Sequence, residues 1–163
     1  MLYNLAAGMA AACLPPVWLA AKLSNRWAEL WPRVGLYRQL APARPGPRVW
    51  LQAVSVGEVS VAATIAEELL AQAPHINLTV TTSTAKGLEK ALEVLGHRAA
   101  VAAFPLDLPW PVITAAAKIR PHVYASLETE LWPNLLAWLD RQGASLLLLN
   151  GRISPRSFPS YRK

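Results

Sequence analysis

From Arg48 to Leu149, short apolar runs alternate with stretches of helical period, and this alternation constrains the chain more than any other feature. VWLQAV (Val49 to Val54) reads as a buried strand, and Glu58 to Ala71 puts Val61, Ile65 and Leu69 on one helical face. Asn77 to Thr81 predicts a second strand, Ala85 to Leu95 a helix stopped by Gly96, and Ala99 to Phe104 a third strand. Pro111 to Ile119 is a helix opened by proline in its first turn. His122 to Ser126 and Ser145 to Leu149 complete the strands, with a helix from Trp132 to Arg141 between them that Gly143 would stop. Strands separated by helices pair in parallel, so the pattern predicts an α/β, Rossmann-like sheet with helices on both faces. With 53% apolar and 16% charged residues, the chain has ample material for such a core.

What precedes the sheet differs in character. Met1 to Ala21 carries no charged residue, and the stretch from Lys22 to Arg48 then holds a net +5 of the chain's +6. A removable signal would have the opposite order, with cations before its apolar core. Residues 1–22 therefore read as a membrane-anchoring helix, residues 23–47 as a basic, proline-containing linker, and residues 48–163 as the folded domain. Pro15 and Pro16 interrupt the apolar run, and a buried helix pair packed on its own domain is the alternative. Cations after the run put the domain on the cytoplasmic side, with Trp18, Trp27 and Trp31 suited to the headgroup layer. A nucleic-acid binder would carry its basic stripe on the folded surface, so nucleic acid is not an expected partner. One cysteine, Cys13, and the scattered His75, His97 and His122 give no metal-ligand spacing, and no metal or cofactor is expected.

Parallel sheets bind ligands at the carboxyl ends of their strands. The segments following the five strands are polar: Ser55-Val56-Gly57-Glu58, Thr81 to Gly87, Pro105-Leu106-Asp107, Glu128-Thr129-Glu130 and Asn150-Gly151-Arg152. The carboxylates of Glu58, Glu128 and Glu130, with several hydroxyls and Arg152 at one edge, predict a site there. Glu58 opens a helix after a turn that Gly57 permits, so its carboxylate serves equally well as a helix cap or as a general base. Glu128 and Glu130 are two apart, which in an extended segment turns them to the same side. Asn134 reads as a helix-terminus residue. No G-x-G-x-x-G is present, against a dinucleotide site.

The strings AVSVGEV, TVTTSTAKG, FPLDLP, ETELWPN and LNGRIS, in that order, resemble the N-terminal domain of the 3-deoxy-D-manno-octulosonic acid (Kdo) transferase family of lipopolysaccharide biosynthesis. The resemblance implies the first half of a two-domain GT-B glycosyltransferase at the cytoplasmic face of the inner membrane. It implies CMP-Kdo as donor, bound by a C-terminal domain that this chain lacks, and a lipid A precursor as acceptor. It makes Glu58 the catalytic base and Glu128 a carboxylate that stabilises the oxocarbenium-like transition state. Ser55, Gly57, Thr82, Thr84, Lys86, Glu130 and Arg152 would then line the acceptor site. Two motif positions depart from the family: Lys86 before Gly87, and Gly151 where the family has alanine. The chain alone is expected to be inactive. A membrane-attached module that binds a phosphorylated lipid without catalysis is the alternative.

Overall fold

A computed structural model describes residues 30–35, 37, 40, 45–128 and 130–151. Residues 1–22, read above as the anchor, lie outside the described residues, as do Thr129 and Arg152. Among the described residues no helix is long and apolar enough to cross a membrane.

Five strands form one sheet: β1 (Arg48–Ala53), β2 (Asn77–Thr82), β3 (Ala100–Ala103), β4 (Val123–Leu127) and β5 (Ser145–Leu149). Every pairing is parallel and the order is β3-β2-β1-β4-β5. The connections are α1 (Val56–Gln72), α2 (Ala85–Leu95), α3 (Pro109–Ile119) and α4 (Pro133–Arg141). Each helix starts where its cap dictates. Ser55 caps α1 and Thr84 caps α2 by accepting backbone N–H groups, whereas α3 and α4 open with proline, which has no N–H to satisfy. At the far end of α4, Gly143 adopts φ +75° and ends the helix.

The two faces of the sheet bury separate cores. Leu51, Val80, Val101 and Leu127 pack with Val59, Ala62 and Ala66 of α1 and Ala91 and Leu95 of α2. On the opposite face Trp50, Phe104 and Tyr124 pack with Val112 and Ile119 of α3 and Leu135 and Leu139 of α4. Trp50 meets Tyr124 edge-on, with centroids 5.4 Å apart at 86°. Alternation along a strand explains the division, since neighbours in sequence point to opposite faces. Edge strand β5 leaves Leu146, Leu147 and Leu148 exposed.

Part of the segment read as a linker belongs to this domain. Tyr37 and Leu40 are buried in the α3/α4 core, and the Tyr37 hydroxyl donates to the Ala103 carbonyl at 2.6 Å. Arg33 Nε donates to the Phe104 carbonyl at 3.1 Å, and the Arg33 carbonyl accepts the Leu106 N–H at 2.9 Å. Burial pushes the Tyr37 phenol up and the Arg33 guanidinium down from their ordinary values. One of the cations counted toward a membrane surface is therefore spent on the sheet.

Candidate active site at the carboxyl edge

From β1 the chain winds outward to β2 and β3, then crosses back to β4 on the other side of β1. The connections at β1 and β4 thus diverge, which opens a crevice at their carboxyl ends. Glu58 follows β1, and Glu128 and Glu130 follow β4, on the two sides of this switch point.

Glu58 is held by a reciprocal capping box. Its N–H donates to Ser55 Oγ at 3.4 Å, and its carboxylate turns back toward the strand end. Oε2 accepts the Val54 N–H at 2.7 Å, while Oε1 accepts the Ser55 N–H at 3.3 Å and the Ser55 hydroxyl at 2.9 Å. The cap is thus formed. A carboxylate offers about four acceptor positions, so one on Oε2 stays open for a proton.

Glu128 does not lie in an extended segment, which corrects the expectation that it and Glu130 are turned to the same side by strand geometry. Its φ is +58°, in the left-handed region that a residue with a Cβ occupies only at a cost of about 1–3 kcal/mol. Its N–H is tied to the Leu149 carbonyl at 2.9 Å, extending the β4/β5 ladder by one bond past the strand end. The Glu130 carbonyl accepts the Ser126 hydroxyl at 3.0 Å. Partial burial, then the charges of Glu58 and Glu128, raise the Glu130 carboxyl above the usual carboxylate range. The three carboxylates therefore share one electrostatic neighbourhood.

The β2–α2 loop lies beside them. Thr84 Oγ1 accepts the Gly87 N–H at 3.0 Å and donates to the Val54 carbonyl at 3.1 Å, tying the α2 start to the end of β1. Thr82, buried, donates to the Thr84 carbonyl at 3.3 Å. Together with Ser55, each expected acceptor-site hydroxyl on a described residue has its proton committed within the fold. Lys86 is exposed. Gly57 lies inside the first turn of α1 without a positive φ, so the turn does not depend on it; this corrects the expectation above. Among the described residues no group of three or more His, Cys, Asp or Glu is arranged to hold a metal ion.

Sequence reasoning missed two features of the site. Gln52 and Thr81 are fully buried polar side chains at the ends of β1 and β2, joined by a 2.7 Å hydrogen bond. For Gln52 the only sequence signal is a polar residue within the apolar run of β1, and Thr81, one of several threonines in β2, has none. Asp107, in the loop after β3, accepts backbone N–H groups from the first turn of α4, a pairing across 27 residues that no local pattern announces.

The chain is a doubly wound parallel α/β sheet with carboxylates following the two strands at its switch point, the edge at which sheets of this class take ligands. The chain belongs to the 3-deoxy-D-manno-octulosonic-acid transferase (kdotransferase) family of glycosyltransferases, whose sequence model matches residues 25–163. It is 32% identical over 145 residues to the 3-deoxy-D-manno-octulosonic acid transferase of Haemophilus influenzae, covering 89% of this chain and 34% of that protein. Against the enzyme of the same name from Chlamydia pneumoniae the identity is 34% over 123 residues, covering 75% of this chain and 28% of the relative. For that of Bordetella pertussis it is 32% over 152 residues, covering 88% and 36%. The chain thus spans about a third of the length of the curated relatives it matches.

Proposed function

We propose that this chain is the acceptor-binding part of an enzyme that transfers Kdo from CMP-Kdo to a lipid A precursor at the cytoplasmic face of the inner membrane. The observation that carries the reading is the placement of Glu58, Glu128 and Glu130 after the carboxyl ends of the adjacent strands β1 and β4, at the switch point of the sheet. In this reading the acceptor hydroxyl oxygen attacks the anomeric carbon of Kdo and its proton passes to the open position on Glu58 Oε2. The bond from the anomeric carbon to the CMP phosphate breaks, and its electron pair leaves with the phosphate oxygen. Glu128 supplies negative charge as the sugar ring becomes positive. Lys86 and Arg152 offer cations to acceptor phosphates. The donor site is assigned to the part of the longer relatives that this chain does not match, so the 163-residue chain should bind acceptor without turnover. Residues 1–22 are assigned to membrane attachment; their deletion should release the protein from membranes with the sheet intact.

The deciding experiment is Glu58→Gln in a longer family enzyme containing this domain. Loss of the base should lower kcat by about 10² or more with acceptor binding retained. Near-normal turnover would overturn the assignment and leave Glu128 and Glu130 to be tested. Transfer activity in the 163-residue chain would overturn the division of labour.

A further inference from the structure

A chain of buried hydrogen bonds runs from the core to the β2–α2 loop, and its direction is set at the buried end. Trp50 is 0% exposed, and its indole N–H, which can only donate, bonds to Thr81 Oγ1 at 2.7 Å. Thr81 is also 0% exposed, so its own hydroxyl proton needs an acceptor inside the protein. The acceptor it reaches is Gln52 Oε1, at 2.7 Å. That contact orients the buried Gln52 amide, whose Nε2 then donates to Ser83 Oγ at 3.1 Å. Ser83 therefore receives a hydrogen bond from below and has one proton left to give. Among the described residues nothing accepts that proton.

Ser83 thus differs from its neighbours. Ser55, Thr82 and Thr84 each donate their proton to an oxygen of the fold. Ser83 stands between Thr82 and Thr84 at the carboxyl edge, half-buried, with its oxygen pinned and its proton unspent. A hydroxyl so arranged has a proton to donate to an acceptor oxygen of a ligand. Lys86, exposed in the first turn of α2 three residues further on, adds a positive charge next to this loop.

We infer that Ser83 is a ligand-binding residue whose hydroxyl donates to an anionic oxygen, a phosphate oxygen of the glycosyl acceptor, and that Gln52 is the residue that positions it. The inference rests on the acceptor-binding reading above and names a contact within that site. Trp50 and Thr81 fix the Gln52 amide, Gln52 fixes the Ser83 oxygen, and since no described residue accepts the Ser83 proton, it is left for a ligand.

The test compares wild type, Ser83→Ala, Ser83→Thr and Gln52→Glu. Dissociation constants are measured by calorimetry in detergent micelles, for the phosphorylated lipid A precursor and for its dephosphorylated form. Ser83→Ala should weaken binding of the phosphorylated precursor about tenfold or more, as expected for a hydrogen bond to a charged group, and leave the dephosphorylated form unaffected. Ser83→Thr keeps the hydroxyl and should bind as wild type does. Gln52→Glu puts an acceptor beneath Ser83, turns its proton inward, and should reproduce the loss with the serine still present. Should thermal melting show Gln52→Glu to be unfolded, the two Ser83 variants decide alone. Wild-type affinity in Ser83→Ala, or an equal loss for both forms of the precursor, would overturn the inference. A wild-type chain that binds neither form would instead refute the acceptor-binding reading itself, and the two failures are thereby distinguished.

Discussion

Asp107 and Asn134 lock the loop after β3 to the first turn of α4. Asp107 Oδ2 accepts the Asn134 N–H at 3.1 Å and Oδ1 the Leu135 N–H at 2.9 Å, while Asn134 Nδ2 donates back to the Asp107 carbonyl at 2.7 Å. Helix α4 has no side-chain cap of its own, because Trp132 occupies the cap position. A carboxylate from another loop supplies both the missing acceptor and a negative charge at the helix N-terminus. Asp107→Ala should therefore lower stability by about 1–2 kcal/mol in urea unfolding. Asp107→Asn, which keeps one acceptor oxygen, should lose less. Equal stability of all three proteins would show that α4 does not depend on this contact.

The buried hydroxyl of Tyr37 joins the N-terminal segment to β3. Tyr37→Phe removes the donor and leaves the Ala103 carbonyl without it, so a loss of about 1 kcal/mol is expected. A chain beginning at Arg48 would also forfeit the burial of Tyr37 and Leu40 and the Arg33 contacts, and should melt well below one beginning at Lys22. Coincident melting curves for those two truncations would return residues 30–40 to the status of a linker.

Two glycines of the site motifs should respond oppositely to alanine. A Cβ on Gly87 would lie 2.8 Å from Thr84 Oγ1 and 3.3 Å from the Val54 carbonyl, where α2 meets the end of β1. Gly87→Ala is expected to cost about 1–3 kcal/mol. At Gly57 the nearest atom to an added Cβ is Ser55 Oγ at 3.9 Å, in helical backbone. Gly57→Ala should be neutral or gain about 0.4–1 kcal/mol. Thermal melts of the pair check both signs, and an acceptor-binding assay on the more stable variant would show whether ligand needs the space Gly57 leaves.

The elements were legible because periodicity and caps are local. The helix over Ala85–Leu95 and the strand over Ser145–Leu149 coincide with their expected limits. By contrast, α1 begins at Val56 rather than Glu58, because Ser55 satisfies the first turn, and α3 begins at Pro109 rather than Pro111, because a proline at the first helical position leaves no N–H to satisfy. Glu58 could be found since a carboxylate at the start of a helix directly after a strand is a local feature of the sequence. Strand order could not, because it depends on which way each crossover turns. The availability of a hydroxyl was equally hidden. Whether Ser83 or Thr84 keeps its proton depends on Gln52, in β1, and Val54, just past its end, both about 30 residues away in sequence.

Partial burial and the charges of Glu58 and Glu128 hold the Glu130 carboxyl above the usual carboxylate range. The folded state therefore binds the Glu130 proton more tightly than the unfolded chain does. Between the unfolded and folded values the native protein carries more protons, so this group's contribution to stability falls as pH rises. Below the ordinary carboxylate range Glu130 is protonated in both states and the penalty vanishes; above its folded value the penalty is complete. Glu130→Gln should thus stabilise the protein at neutral pH, by no more than about 0.5 kcal/mol for a partly exposed position, and make no difference well below the carboxylate range. Urea unfolding of both proteins across that range measures the effect. A gain of the same size at every pH would mean that the substitution acts through packing, and a loss at neutral pH would mean that the Glu130 charge has a favourable partner in the folded state.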